Sequence, residues 1–287
     1  MVFHQHECKG AHFTHEAQPR PLPVLHARDC HHRHGLLSFH DCITLMESYN
    51  IIRLKECRST NSSLAEIARE SPDGTVLVTD SQTAGRGQRG NSWEAEPGKN
   101  LTFSLLIKPE AIAAHDQFYI SEAVALGIRD ALMNHLPSQE VTVKWPNDIY
   151  AGDRKICGIL IENSLSGNTI GHSIAGIGIN VNQQEFKSDA PNPVSTVMLT
   201  GKHLPLDRLL HEVVDAIYLR LSQPVAARHA DYMDSLWRRL GGTYRDMSTG
   251  EEFHAVITGV VSTGHLSLLD TFCNHRLYAF KEVQAIL

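Results

Sequence analysis

The sequence predicts an α+β protein, with a larger part in which strands and helices alternate and a small all-β module after it. Three observations predict this class. Between residues 51 and 240, short apolar runs of strand length alternate with stretches whose apolar residues recur every three to four positions. After Gly241-Gly242 the helical period stops, and short alternating runs separated by turn residues take over. With 287 residues, 42% of them hydrophobic and 20% charged, the chain is long enough to bury a sizeable core and has an ordinary globular balance.

The elements follow in order. "IIRLKEC" (Ile51–Cys57) reads as a strand, and "NSSLAEIARE" (Asn61–Glu70) as a helix with Ser63 and Glu66 spaced as a capping box. Pro72-Asp73-Gly74 is a turn. "TVLVTD" (Thr75–Asp80) and "NLTFSLLIK" (Asn100–Lys108) are strands on either side of a Gly/Arg-rich loop. Gln117–His135 carries Tyr119, Ala123, Leu126, Ile128 and Leu132 at helical spacing. "VTVKW" (Val141–Trp145) is a strand closed by Pro146, because the residue before a proline is held extended. Lys155–Glu162 and Ile170–Val181 read as buried strands, and Leu206–Leu221 and Val225–Leu240 as amphipathic helices. Tyr244–Met247, Glu252–Val261, His265–Asp270 and Arg276–Val283 make up the β module. The domain reading is 1–45 as a His-rich, disordered extension, 46–240 as the catalytic or binding domain, and 241–287 as the small β domain.

Net charge is −6, with no basic face or tail, which argues against a protein whose main work is gripping nucleic acid. No apolar run is long enough to span a membrane, and the N-terminus has no signal-peptide core. Six cysteines lie without a CxxC pair or a disulfide-type spacing, which fits a reducing cytoplasm. Nine of the 18 histidines fall before Met46. A metal-binding arm is one reading of them. A disordered extension or an early start codon is the plainer one, because no ligand pair has zinc-finger spacing.

The chemistry-bearing stretches are few. In "TDSQTAGRGQRGNSW" (Thr79–Trp93), Gly85, Gly87 and Gly90 let the backbone approach a ligand, and Arg86 and Arg89 supply forked cationic donors for phosphate or carboxylate. The default reading is a mobile solvated loop, with Trp93 anchoring it to the core. "VKWPNDIY" (Val143–Tyr150) puts Lys144 at a strand end, where an ammonium group aimed into a cleft would neutralise developing negative charge. By default Lys144 is a solvated lysine and Asn147 and Asp148 are turn residues; alternatively Asp148 holds Mg²⁺, directly or through water. "STNSS" (Ser59–Ser63) is a helix start that also offers polar groups to a ligand head. "GIGINVN" (Gly176–Asn182) is a tight strand whose glycines would admit a planar ligand beside Asn180.

Taken together, STN at Ser59–Asn61, GRGxxGxxW at Gly85–Trp93, KWPND at Lys144–Asp148 and GIGIN at Gly176–Asn180 resemble the biotin protein ligases in order and approximate spacing. The tail "GHLSLLD…LYAFKEVQAI" is similar to that family's C-terminal module. The resemblance implies a mixed-sheet catalytic domain of the biotin/lipoyl ligase type followed by a small SH3-like β-barrel. It implies that ATP and biotin, with Mg²⁺, give biotinyl-5′-AMP, and that biotin then passes to a lysine of a biotin carboxyl carrier domain. Lys144 and Arg86 would be catalytic. Ser59, Thr60, Asn61, Gln82, Arg86, Gly87, Gln88, Lys144 and Gly158 would bind biotin. Gly85, Arg89, Gly90, Trp93, Asn147 and Asn180 would bind ATP and the adenylate, with Lys155 flanking the pocket and Asp148 on the metal.

The chain departs from the fullest family loop, GRGRRGRxW, at Gln88 and Asn91, which removes two arginines and implies looser retention of the adenylate. Residues before Met46 are too few and irregular for a winged DNA-binding module, so the expected type is short and monofunctional, without nucleic-acid or membrane partners. An exposed sheet edge would support a homodimer. The alternatives are a lipoate or octanoate ligase on the related fold and a non-catalytic biotin-binding protein.

Overall fold

The computed structural model describes residues 49–87, 92–187 and 192–286, which fall within one compact unit. The His-rich segment before Met46 lies outside the described residues. At the centre is a seven-stranded sheet. Strand β1 (Ile51–Cys57) forms one edge and runs parallel to β2 (Val76–Gln82). Next come β3 (Leu101–Ile107), then β4 (Val141–Lys144), β5 (Asp148–Ala151), β6 (Arg154–Ser166) and β7 (Thr169–Ile179) in chain order. Across the sheet the order is β1-β2-β3-β7-β6-β5-β4, and every pair after the first is antiparallel. The sheet is mixed, as the resemblance implies.

Strand periodicity gives the sheet two unlike faces. On β3, Leu101, Phe103, Leu105 and Ile107 enter the main core, while Thr102, Ser104 and Leu106 point the other way. Helix α1 (Thr60–Ile67) covers one end of that second face, where Leu64 and the following Ala68 pack on Leu77, Leu106 and Ile174. Helix α2 (Phe118–His135) covers the first face. A short helix α3 (Thr196–Thr200), then α4 (Leu206–Leu221) and α5 (Val225–Asp234), complete the helical layer. Gly127 of α2 lets α4 approach closely: a Cβ there would lie 2.6 Å from the Ile217 Cα.

Strands β8 (Gly242–Asp246), β9 (Glu252–Val260), β10 (Leu266–Asp270), β11 (His275–Tyr278) and β12 (Val283–Ala285) form a five-stranded antiparallel sheet, order β11-β10-β9-β8-β12. Its Tyr244, Phe253, Leu266 and Leu268 join the same apolar core as the helical layer.

Several boundaries differ from the sequence reading, each for a physical reason. Helix α1 starts at Thr60, and Ser63 lies inside it, so there is no capping box of Ser63 and Glu66. The buried amide of Thr60, the first of the helix, is satisfied across the fold by Gln82 Oε1 at 2.8 Å. Helix α5 stops at Asp234 because the next residues run beside the sheet edge: the Val143 amide donates to Ser235 O and the Trp237 amide to Val143 O, both at 2.9 Å. Asp148 begins strand β5 rather than closing a turn. The expected strand Arg276–Val283 is two strands with a turn between them.

Gly127→Ala is expected to destabilise the fold by about 1–3 kcal/mol, because backbone atoms of α4 cannot yield as a side chain would. Urea unfolding measures this, and a midpoint equal to wild type would show that α4 can move aside.

Candidate active site

A cleft of about 960 Å³ opens on the second face of the central sheet, with the C-terminal sheet contributing Tyr244, Ile257 and Val283 to its wall. Its floor is set by register. Ser104 pairs with Gly176 and Gly176 with Leu160; one step along, Thr102 pairs with Gly178 and Gly178 with Gly158. Two neighbouring rows of the floor therefore carry glycine where side chains would stand.

Two flat groups lie on that gap. The Asn61 side chain rests on Gly176, where a Cβ would come within 2.2 Å of Asn61 Oδ1. The Trp93 indole rests on Gly178 and Gly158, where Cβ atoms would meet it at 2.3 and 3.0 Å. The planar group over the GIGIN glycines is thus a side chain of the protein itself. The Trp93 Nε1 and Asn180 Oδ1 atoms are both buried without a hydrogen-bond partner among the described residues. A planar heterocycle carrying both an acceptor and a donor would satisfy the pair.

A polar chain fixes one end of the cleft. Gln82 Oε1 accepts from both the Thr60 amide and, at 3.2 Å, its hydroxyl. The fully buried Ser104 hydroxyl lies 2.6 Å from Asn61 Oδ1 and 2.8 Å from Thr60 Oγ1. Asn61 Nδ2 donates to Leu160 O at 3.2 Å and to Glu162 Oε2 at 2.7 Å. Arg86 Nη2 reaches the same Glu162 oxygen at 2.9 Å. Both partners of the Arg86–Glu162 pair are nearly half exposed, and such pairs are worth only about 0–1 kcal/mol, so Arg86 is free to exchange this carboxylate for another anion.

A cationic corner lies at the other end. Lys144 Nζ donates to the Tyr150 hydroxyl at 2.9 Å and sits 5.4 Å from the centre of the Trp237 ring. Burial pulls the Lys144 ammonium below the usual lysine range, Asp148 opposes that, and Lys155 and Arg238 add to it. Lys155 Nζ is bonded to Asp148 Oδ1 at 2.7 Å and lies 5.8 Å from the Trp93 ring centre. The corner can accept an anion and stabilise charge building on it.

Of the residues picked out from sequence, Ser59, Thr60, Asn61, Gln82, Arg86, Gly87, Trp93, Lys144, Asn147, Asp148, Lys155, Gly158 and Asn180 all line this one cleft. Gly85 does not; it is needed where the loop closes, since a Cβ would lie 2.8 Å from Trp93 O. The loop is pinched by an Arg86–Ser92 bridge, and Gln88, Arg89 and Gly90 lie outside the described residues. Asn147 uses its amide to hold Ile159 O at 2.6 Å, which anchors the turn to β6. Sequence reasoning missed Ser104, Glu162, Tyr150 and Trp237. Tyr150 ends the quoted KWPNDIY run, and strand alternation would have put it on the face of Lys144. Ser104, Glu162 and Trp237 carry no local signal.

Residues 54–180 match the biotin/lipoate A/B protein ligase family. The chain is 30% identical over 230 residues to the bifunctional ligase/repressor BirA of Bacillus subtilis, covering 74% of this chain and 67% of that protein. The chain belongs to the biotin/lipoate A/B protein ligase family. It is 29% identical to the biotin–[acetyl-CoA-carboxylase] ligase of Paracoccus denitrificans, over 73% of this chain and 90% of that one. Among solved structures it resembles the biotin protein ligase of Aquifex aeolicus in complex with biotin and ATP, with a TM-score of 0.67, 26% identity, and coverage of 83% of this chain and 98% of that one. In the glycine rows an added Cβ at Gly176 or Gly178 would collide with Asn61 or Trp93.

Gly178→Ala is expected to drive the indole off the floor, shifting the Trp93 contribution to the emission spectrum to longer wavelength. The difference spectrum against Trp93→Phe isolates it, and unchanged emission would mean that the sheet yields instead.

Proposed function

We propose that this chain is an ATP-dependent biotin protein ligase. The observation that carries the reading is the gathering of all four sequence motifs on one cleft, in a chain 26% identical to a biotin- and ATP-bound ligase over nearly that protein's full length. In the first step the biotin carboxylate attacks the α-phosphate of ATP, forming biotinyl-5′-AMP and releasing pyrophosphate. In the second, the ε-amine of a lysine on a biotin carboxyl carrier domain attacks the acyl carbon, and AMP leaves.

The geometry supports a division of labour. The end built by Ser59, Thr60, Asn61 and Gln82 is neutral and rich in hydrogen-bonding groups, which suits the ureido ring of biotin. Gly158, beneath the Trp93 indole, leaves the floor open for the rest of the biotin chain. Arg86 and Lys144 would bring two anions together and stabilise the charge on the transferring group. Gly87 lines the cleft and would lie along the biotinyl phosphate; Gln88 is assigned there on the family resemblance alone. Asn180 and Trp93, with their unpartnered atoms, suit the adenine; Gly85, Arg89, Gly90 and Asn147 are assigned to the nucleotide side on the family resemblance alone. Excluding water from an acyl phosphate calls for a closing loop, which is the role we assign to Gly85–Trp93.

Among the described residues, no group of three or more His, Cys, Asp or Glu side chains is placed to hold a metal ion. The one cleft carboxylate of KWPND, Asp148, fits magnesium only as the protein's share of a site completed by phosphate oxygens and water. Magnesium there would screen phosphate charge. We read the C-terminal sheet as an SH3-like barrel and the site of action as the cytoplasm; among the described residues no helix is long and apolar enough to cross a membrane.

Pyrophosphate release with ATP and Mg²⁺, comparing biotin with lipoate, tests the reading. Release with biotin is expected, falling about 10²–10³-fold in Lys144→Ala. Release with lipoate alone would move the chain to the other branch of the family, and release with neither would leave a pocket that binds without reacting. The charged form of Lys144 is lost as pH rises through its lowered pKa, so the rate is expected to decline on the alkaline side earlier than an ordinary lysine would dictate. A rate flat to the ordinary lysine range would remove Lys144 from the charge-stabilising role.

A further inference from the structure

Tyr150 is 1% exposed, yet its ring alone would satisfy the packing demands of that position, and a phenylalanine would fill the same volume. What distinguishes it is the hydroxyl, whose hydrogen bond is with Lys144 Nζ at 2.9 Å. The hairpin register brings this about. Thr142 pairs with Tyr150 and Lys144 with Asp148, so Lys144 and Tyr150 are diagonal neighbours on one face of β4 and β5. The tyrosine ring is held in turn. Its centre lies 5.3 Å from that of Trp237, tilted by 51°. Trp237 is fixed by its Nε1, which donates to Asp153 Oδ1 at 3.0 Å, and by the Arg238 guanidinium stacked 4.3 Å from its ring centre. A lysine side chain has four rotatable bonds, and an unsupported ammonium would wander over the cleft wall.

We propose that Tyr150 is a positioning residue for the reaction, its hydroxyl oxygen holding the Lys144 ammonium where the acyl phosphate forms, with the Trp237 indole as the wall that keeps the tyrosine in place. This rests on the ligase reading. Burial keeps the Tyr150 phenol protonated well beyond neutral pH, so it remains a neutral acceptor beside the ammonium. The charged groups facing the lysine are Asp148 on the same hairpin, Lys155 on β6 and Arg238 beyond α5. Of these only Asp148 favours the ammonium form, and Lys155 already occupies one oxygen of Asp148. Removing the Tyr150 hydroxyl therefore takes away one of few contacts that favour the charged lysine.

The experiment measures biotin-dependent pyrophosphate release in the full chain for wild type, Tyr150→Phe, Lys144→Ala and the double variant, each from about pH 6 to pH 10. Tyr150→Phe is expected to lower kcat about ten- to hundredfold with the KM for biotin nearly unchanged, and to move the alkaline limb to lower pH. In the Lys144→Ala background the same change is expected to do nothing further. Wild-type kcat and an unmoved limb in Tyr150→Phe overturn the proposal, and so does a loss that multiplies onto that of Lys144→Ala, which would mark Tyr150 as merely structural. If Tyr150→Phe melts early, Trp237→Phe, which keeps a ring but loses the Asp153 anchor, carries the same test, with the limb expected to shift in the same direction. Wild type that releases no pyrophosphate with biotin overturns the ligase reading and this proposal with it; wild-type release beside an unaltered Tyr150→Phe overturns the proposal alone.

Discussion

Flat side chains can lie directly on the backbone of a β-sheet only where the sheet has no Cβ to hold them off, and the cleft is built on that constraint. Gly176, Gly178 and Gly158 sit in adjacent rows fixed by the β3–β7–β6 register. Asn61 and Trp93 occupy the space they leave. Asn61 then ties α1 to β6, and Trp93 ties the end of the Gly/Arg loop to the floor. A single added methyl group at Gly176 would separate Asn61 from the sheet and break the chain of contacts from Gln82 to Arg86 at its middle.

The charges are arranged with unequal firmness, and the difference matches their proposed work. Arg86 is held by one half-exposed carboxylate and can change partners at little cost. Lys144 is held from several sides by a tyrosine oxygen, two aromatic rings and its own burial. A loop arginine that re-pairs suits a gate. A wedged lysine suits a fixed point of charge for the reacting group, since preorganised charge needs no rearrangement as the reaction proceeds.

Much of this was legible in the linear chain. Glycine, arginine, lysine and asparagine in four short motifs named many of the polar residues of the cleft, because a site that handles small anions leans on residue types with unmistakable chemistry. The long elements were legible for a similar reason: β3 is a run of strand length rich in apolar residues, and α2 carries apolar residues every three to four positions. Where local signals misled, a distant group had taken over. The first amide of α1, at Thr60, is bound by Gln82, 22 residues away, so the helix starts three residues before the expected cap at Ser63, and the tail of the expected helix after Val225 is drawn off to pair with Val143.

The sequence by itself determined the class of the fold and the chemical character of the site, because these follow from periodicity and from residue types at short spacing, and its four motifs carried the resemblance to the family. Only the tertiary structure decided which faces meet. It made a floor of three glycines that lie on two strands, brought Ser104 and Glu162 into a network with no local signature, and set Tyr150 and Trp237 around Lys144. Those relations depend on strand register and on hydrogen bonds between residues far apart in the chain, and neither is written in any short stretch of sequence.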